Sequence, residues 1–208
     1  MHLAIFAGTG NTGRHLIEDA LRNGHEVTTL VQKIGELPAH PHLYAVAGDV
    51  REERAVREVV TGTHAVLSAL GERALTTTVC ADGIRNILSA MNTLGVRRLL
   101  AVSAHGVADS RHSNLYAWLR WKLMKEAMQD KERMEALIRA STTDWTIVRP
   151  ARIINGPRTG DYRSGTALRL ESMAKISFAD LARFMLSLVS RTNAQRQTIS
   201  VAFERRRV

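Results

Sequence analysis

Leu3-Ala4-Ile5-Phe6-Ala7-Gly8-Thr9-Gly10-Asn11-Thr12-Gly13 decides how the rest of the chain is read. Leu3 to Ala7 is apolar without alternation, as in a strand buried on both faces. Glycine then recurs at 8, 10 and 13, a complete G-x-G-x-x-G. From Thr12 to Asn23 the apolar residues Leu16, Ile17, Ala20 and Leu21 fall at helical spacing, and Gly24 stands where a helix should stop. Strand, glycine turn and helix in this order form the unit that cradles a dinucleotide pyrophosphate. Gly8 permits the tight turn, Gly10 lets a phosphate approach the backbone, and Gly13 lets the helix pack on the strand. Thr9, Asn11 and Thr12 complete the loop, and the helix start offers N–H groups and a partial positive charge.

Working outward, strands and helices alternate. Glu26–Val31 is β-branched, Leu43–Ala47 follows as a second run apolar throughout and so expected to be buried on both faces, and Glu52–Val60 predicts a short helix. Ala65–Leu70 predicts a fourth strand, Thr78–Leu94 a long helix ended by Gly95, and Leu99–Val102 a fifth strand. A single helical stretch from about Leu115 to Ala140 precedes a sixth strand, Trp145–Val148. The segment Ala151–Thr166, rich in Gly and Arg, reads as irregular. Ser177 then caps an amphipathic helix with Phe178, Leu181, Ala182, Met185 and Val189 on one face, and Gln197–Val201 suggests a final strand. Strand–helix alternation implies parallel crossovers, so the expectation is α/β: a doubly wound parallel sheet, Rossmann-like, in a single domain over 1–208 with a substrate-side segment at about 151–176.

Composition bounds the function. The chain has 208 residues, 29 Lys+Arg against 20 Asp+Glu, a net charge of +9 and one cysteine. One cysteine rules out a disulfide framework and any multi-cysteine zinc site, and Cys80 reads as a small core residue. His40 and His42 straddle Pro41 with no second ligand pair, so no metal is expected. The glycine loop continues into Arg14 without a Walker lysine, which disfavours NTP hydrolysis. No apolar run approaches the roughly 20 residues of a bilayer span, and no secretory signal is visible. A cytoplasmic protein without membrane or nucleic-acid partner is the expectation, as monomer or homodimer. The positive charge suits an anionic small molecule, and no nucleic-acid module is present.

Cofactor choice is read near the end of the second strand, where an acid would bind the adenosine ribose and favour NAD(H). Here stand Gln32 and Lys33, with no acid until Glu36. Lys33 can pair with a 2′-phosphate, so NADP(H) is favoured and NAD(H) remains possible. Asp49-Val50, after the third strand, lies where such folds touch adenine; Asp49 serves equally well as a helix cap. His105 and His112 follow the fifth strand at the carboxyl edge and are candidate proton donors, a loop position being the plainer reading. Arg111 and Arg152 are candidate binding groups for an anionic acceptor through bidentate contacts.

The chain resembles the atypical short-chain dehydrogenases of the NAD(P)H-binding, NmrA-like group, and within it the biliverdin-IXβ reductases, also called NADPH-flavin reductases. The residues that carry this are A-G-T-G-N-T-G at 7–13, A-G-D-V at 47–50, L-G at 70–71, T-T-V-C-A-D-G-I-R-N-I at 77–87, D-W-T-I-V-R-P at 144–150, T-G-D-Y at 159–162 and I-S-F-A-D-L-A-R-F-M-L at 176–186. The resemblance adds Leu70, Gly71 and Pro150 to the expected cofactor contacts. It implies hydride transfer to a planar anionic acceptor, a flavin such as FMN or a linear tetrapyrrole such as biliverdin. The alternative it carries is a non-catalytic redox sensor that binds dinucleotide and regulates a partner.

The departures are informative. Ala7-Gly8 exchanges the order of two small residues and is expected to be without consequence. Gln32 stands where NADP-preferring members carry Arg. The fifth strand's usual pair of hydroxyls is reduced to Ser103, followed by Ala104, and Arg152 takes a histidine's place. The family's Tyr–Lys pair is matched only by Tyr116 and Arg120, a degenerate triad with Ser103; Tyr116 reads otherwise as a core or pocket-wall aromatic. Trp118 and Trp121 are expected to pack.

Overall fold

The apolar runs become the strands of one sheet. In the computed structural model, residues 1–71, 79–110 and 115–204 are described, the side chains of 115–117 and 120 excepted. The strands are β1 (His2–Phe6), β2 (Glu26–Val31), β3 (Leu43–Ala47), β4 (Ala65–Ser68), β5 (Arg98–Val102), β6 (Asp144–Pro150), β7 (Arg152–Ile154), β8 (Tyr162–Gly165), β9 (Lys175–Ser177) and β10 (Gln197–Phe203). The helices are α1 (Asn11–Arg22), α2 (Glu53–Val60), α3 (Val79–Leu94), α4 (Leu115–Leu123), α5 (Lys125–Ala140) and α6 (Phe178–Ser187).

The sheet order is β3-β2-β1-β4-β5-β6-β10-β8, parallel except for β8, which pairs antiparallel with β10. The order reverses between β1 and β4, and such a switch point opens a crevice at the carboxyl ends of the strands. Both faces are covered. Leu16, Ile17 and Ala20 of α1 pack with Leu181, Ala182 and Met185 of α6 on one side. Val56 and Val59 of α2, Ile84 and Ile87 of α3, and Met134 and Ile138 of α5 pack on the other, with Cys80 fully buried among them.

Three buried charges tie the crossovers together. Arg98 donates to Leu188 O and Val189 O at the end of α6, and to Asp144 O and Thr146 Oγ1 of β6. Burial lowers its pKa, against the opposing charge of Asp144. The carboxylate of Asp130 on α5 accepts from Cys80 N and Ala81 N, capping α3 from 50 residues away. Asp180 accepts from Thr159 N, Thr159 Oγ1, Gly160 N and Ser177 Oγ, while Ser177 Oγ accepts from Asp180 N as the cap of α6. Residues 159–160 are thereby strapped to that helix, and Arg158 is strapped to α1 through Asp19.

Four expectations are corrected. The helix predicted over 115–140 is two helices, broken at Met124 with φ −126° and ψ 43°. The segment 151–166 is not irregular: it contains β7, paired with β9, and β8, the far edge strand. β3 is not buried on both faces, because it is the opposite edge and Tyr44 is half exposed. Trp118 is also half exposed, with the Lys122 ammonium 5.5 Å from its ring centre, whereas Trp121 is buried.

Candidate functional site

The glycine loop is built as its sequence requires, with one exception. A Cβ on Gly13 would lie 2.0 Å from Ala7 O, so no side chain fits where α1 crosses the end of β1. A Cβ on Gly8 would lie 2.3 Å from Thr29 Oγ1, which is itself fixed by donating to Ile5 O. The exception is Ala7, which holds φ at 61° in the left-handed region. The exchange of Ala7 and Gly8 is therefore not neutral: the residue with a Cβ occupies the conformation that favours glycine. No side chain caps α1 at Gly10 and its first turn carries no acid, so its leading N–H groups remain for an anion.

Two cavities flank this loop and share Ala7, Leu70 and Gly71. The smaller, of about 250 Å³, lies over the ends of β1 and β2 and is lined by Thr9, Gln32, Asp49, Val50 and Arg51. The larger, of about 510 Å³, runs toward β5 and β6 and is lined by Gly10, Asn11, Thr12, Gly13, Ser103, Lys131, Pro150 and Arg152. Together they form a groove across the switch point. Its dimensions and its helix N-terminus suit a dinucleotide laid with adenosine at β2 and nicotinamide at β5.

Ser103 extends β5 by donating its N–H to Val148 O. It is 2% exposed, and its Oγ has no hydrogen-bond partner among the described residues. A buried hydroxyl left in this state at a cavity wall is a ready partner for a ligand group. Arg152 is exposed at the rim, where β7 begins. The larger cavity contains a cation that the sequence reading missed. Lys131 of α5 is 5% exposed and donates to Leu70 O at 3.3 Å, with Cys80 Sγ 4.0 Å away. Its signal was a lysine within the buried stripe of Ala127, Met128, Met134 and Ile138. Met124, Ala151, Ile153 and Phe178 supply apolar wall.

Just outside the groove, Arg149 is 3% exposed and forms a bidentate pair with Glu135, at 2.9 and 2.6 Å. Its third nitrogen meets Asp109 at 2.7 Å, tying the loop after β5 to β6. Burial works to lower the Arg149 pKa, but the hydrogen bonds and charges of Glu135 and Asp109 outweigh it and the pKa is raised. Desolvation beside Arg149 works against the carboxylate of Asp109, whose side chain is itself largely exposed, yet the hydrogen bond and charge of Arg149 hold its pKa below the ordinary value.

Of the expected cofactor contacts, all but Gly8 and Lys33 line the groove. Gly8 lies beneath the loop. Lys33 is exposed and outside the lining, because the chain turns away from the cavity after Gln32. His105 is also corrected: it is 4% exposed, its N–H donates to Pro150 O, and its side chain does not line the cavity where a proton donor would be needed. Arg111 and His112 lie outside the described residues, as does the side chain of Tyr116; the Tyr116 backbone is on α4. Among the described residues no cluster of three metal-ligating side chains occurs, and no helix is long and apolar enough to cross a membrane.

A family model described as NAD(P)H-binding matches residues 7–192. The anaerobilin reductase ChuY of Escherichia coli O157:H7 superimposes with a TM-score of 0.86 at 18% identity, each chain covered over 100% of its length. A protein assigned as an NADH-flavin reductase from Streptococcus pneumoniae TIGR4 gives 0.82 at 23% identity, covering 98% of this chain and 100% of that one. A 3-beta-hydroxysteroid dehydrogenase of Mycolicibacterium neoaurum is 28% identical over 116 residues, half of this chain. The chain spans only 32% of that relative's length. The structural likenesses support the fold, at identities too low to carry an activity.

Proposed function

The chain belongs to the NAD(P)H-binding family, and we propose that it is an oxidoreductase, an NAD(P)H-dependent reductase of a planar anionic acceptor, a flavin such as FMN or a linear tetrapyrrole such as biliverdin. One observation carries this reading. Among its described residues the larger cavity has two cations, Lys131 and Arg152, no carboxylate, and an unpartnered Ser103 hydroxyl beside the apolar wall of Met124, Ala151, Ile153 and Phe178. That lining suits an acceptor that brings its own negative charge and buries a planar face.

A bound reduced nicotinamide supplies the hydride; the protein supplies geometry and charge. The glycine loop and the start of α1 would hold the pyrophosphate, and Ser103 Oγ would hold the nicotinamide end by donating a hydrogen bond. Ala104, in place of a second hydroxyl, leaves room for the acceptor to stack. Arg152 binds the acceptor's phosphate or carboxylate from the rim, and the Lys131 ammonium favours negative charge that develops on the acceptor. Among the described residues, no Tyr, His, Asp or Glu side chain lines this cavity. A flavin or tetrapyrrole, which takes its proton from solvent, is therefore served better than an isolated carbonyl.

The test mixes the protein with NADPH or NADH and follows reduced-nicotinamide absorbance as FMN, riboflavin and biliverdin are added in turn. Acceptor-dependent oxidation that is abolished by Gly10→Val is the expected result. Faster turnover with FMN than with riboflavin would reflect Arg152 on the phosphate. Tight dinucleotide binding without turnover on any acceptor would overturn the reductase reading in favour of a sensor.

A further inference from the structure

Resting on the reading of the groove as a dinucleotide site, we propose that Arg51 is the residue that selects the cofactor, by binding the 2′-phosphate that distinguishes NADPH from NADH. A hydroxyl at that ribose position asks for an acceptor, and a phosphate dianion asks for cations. At the end of β2, Gln32 supplies neither charge, and Lys33 is outside the cavity. Arg14 is occupied: its Nε donates to Thr9 O and its Nη2 to Glu36 O.

The strand order brings Arg51 to the place Gln32 leaves neutral. β2 and β3 pair with Val31 opposite Ala47, and Gly48 N donates to Val31 O at 2.9 Å. The turns that leave the two strands therefore lie side by side, one carrying Gln32 and the other Asp49 to Arg51. Both line the same cavity. Asp49 Oδ1 accepts from Arg51 N at 2.9 Å and faces Arg51 Nε at 3.6 Å. Asp49 thus lies on the inner, Nε side of an otherwise exposed guanidinium. Its two outer nitrogens make no hydrogen bond among the described residues and present the fork that matches phosphate bidentately. Asp49 is the only carboxylate among the described lining of this cavity, and its pairing with Arg51 limits its repulsion of an incoming anion. The cation thus comes from the end of β3 rather than β2.

Calorimetric titration of the intact chain with NADPH, NADH, 2′,5′-ADP and 5′-AMP tests this. The wild type should bind 2′,5′-ADP roughly 10- to 100-fold more tightly than 5′-AMP, the span of one charge-assisted pair. Arg51→Gln should erase that preference while leaving 5′-AMP and NADH binding unchanged, which also shows that the variant is folded. Arg51→Lys should restore part of it, and Lys33→Gln should leave it intact. Equal wild-type affinity for the two nucleotides, or a preference lost in Lys33→Gln and kept in Arg51→Gln, overturns the assignment to Arg51 alone. Failure of every nucleotide to bind overturns the dinucleotide reading with it.

Discussion

Ala7 turns the chain out of β1 with φ at 61°, a conformation that costs an L-residue about 1–2 kcal/mol relative to glycine. Ala7→Gly should therefore raise stability by about 1 kcal/mol, after the larger unfolded-state entropy of glycine is set against the relief. A urea midpoint that falls instead would show that the loop does not carry this strain. Ser103 gives the opposite pattern. Its buried Oγ has no partner among the described residues, so Ser103→Ala should leave the melting temperature of the ligand-free protein unchanged or higher. The same change should weaken NAD(P)H binding by about 1 kcal/mol, read as a smaller thermal shift at saturating cofactor. At this scale the loop was legible because each of its glycines answers to a local steric demand. Lys131 and Arg51 were not, since nothing local marks which charged side chain a distant strand will bring to a cavity. Lys33 meets the same limit: its neighbour Gln32 lines the cavity and it does not.

Among elements, α6 depends on a side chain from β5. Arg98 donates to two carbonyls at its end, and Arg98→Met would leave Val189 O buried without a donor among the described residues and Leu188 O with the Arg191 amide alone. A loss of about 1–3 kcal/mol is expected by chemical denaturation, one such group at full desolvation cost. The turn after β5 depends on Asp109 and Arg149. Because the folded Asp109 pKa is below its unfolded value of about 3.9, its stabilisation is complete above that value and lost as pH falls through the folded pKa. The stability gap between wild type and Asp109→Asn should thus be constant above about pH 5 and begin to narrow as pH falls below about 4. A gap unchanged at pH 3 would remove Asp109 as a pH-dependent tether. The long apolar strands and amphipathic helices were legible because each carries its period within itself. β7, β8 and β9 have three or four residues each and no such period; β7 exists by pairing with β9, and β8 by pairing with β10. The break at Met124 was equally hidden, since helix-forming residues continue on both sides of it.

Across the whole molecule, the division of labour follows the sheet order. β1 to β4 and the glycine loop shape the half of the groove assigned to adenosine and pyrophosphate, and they come from the first third of the chain. The acceptor half rests on β5, β6 and the segment beyond, and Ala151 N is held by Val201 O of β10. β10 lies between β6 and β8, so β8 has no place to pair until β10 is seated. In pulsed hydrogen exchange during refolding, amides of residues 162–165 should gain protection no earlier than those of 197–203. Earlier protection would mean that β8 finds another partner on the way. On a ribosome adding about 5–20 residues per second, β1 to β4 and the glycine loop are synthesised several seconds before α6, the helix on which α1 packs, and before β10, on which the acceptor wall rests. The nascent cofactor half therefore waits, with the inner face of α1 bare, on the same late stretch of chain that completes the acceptor wall.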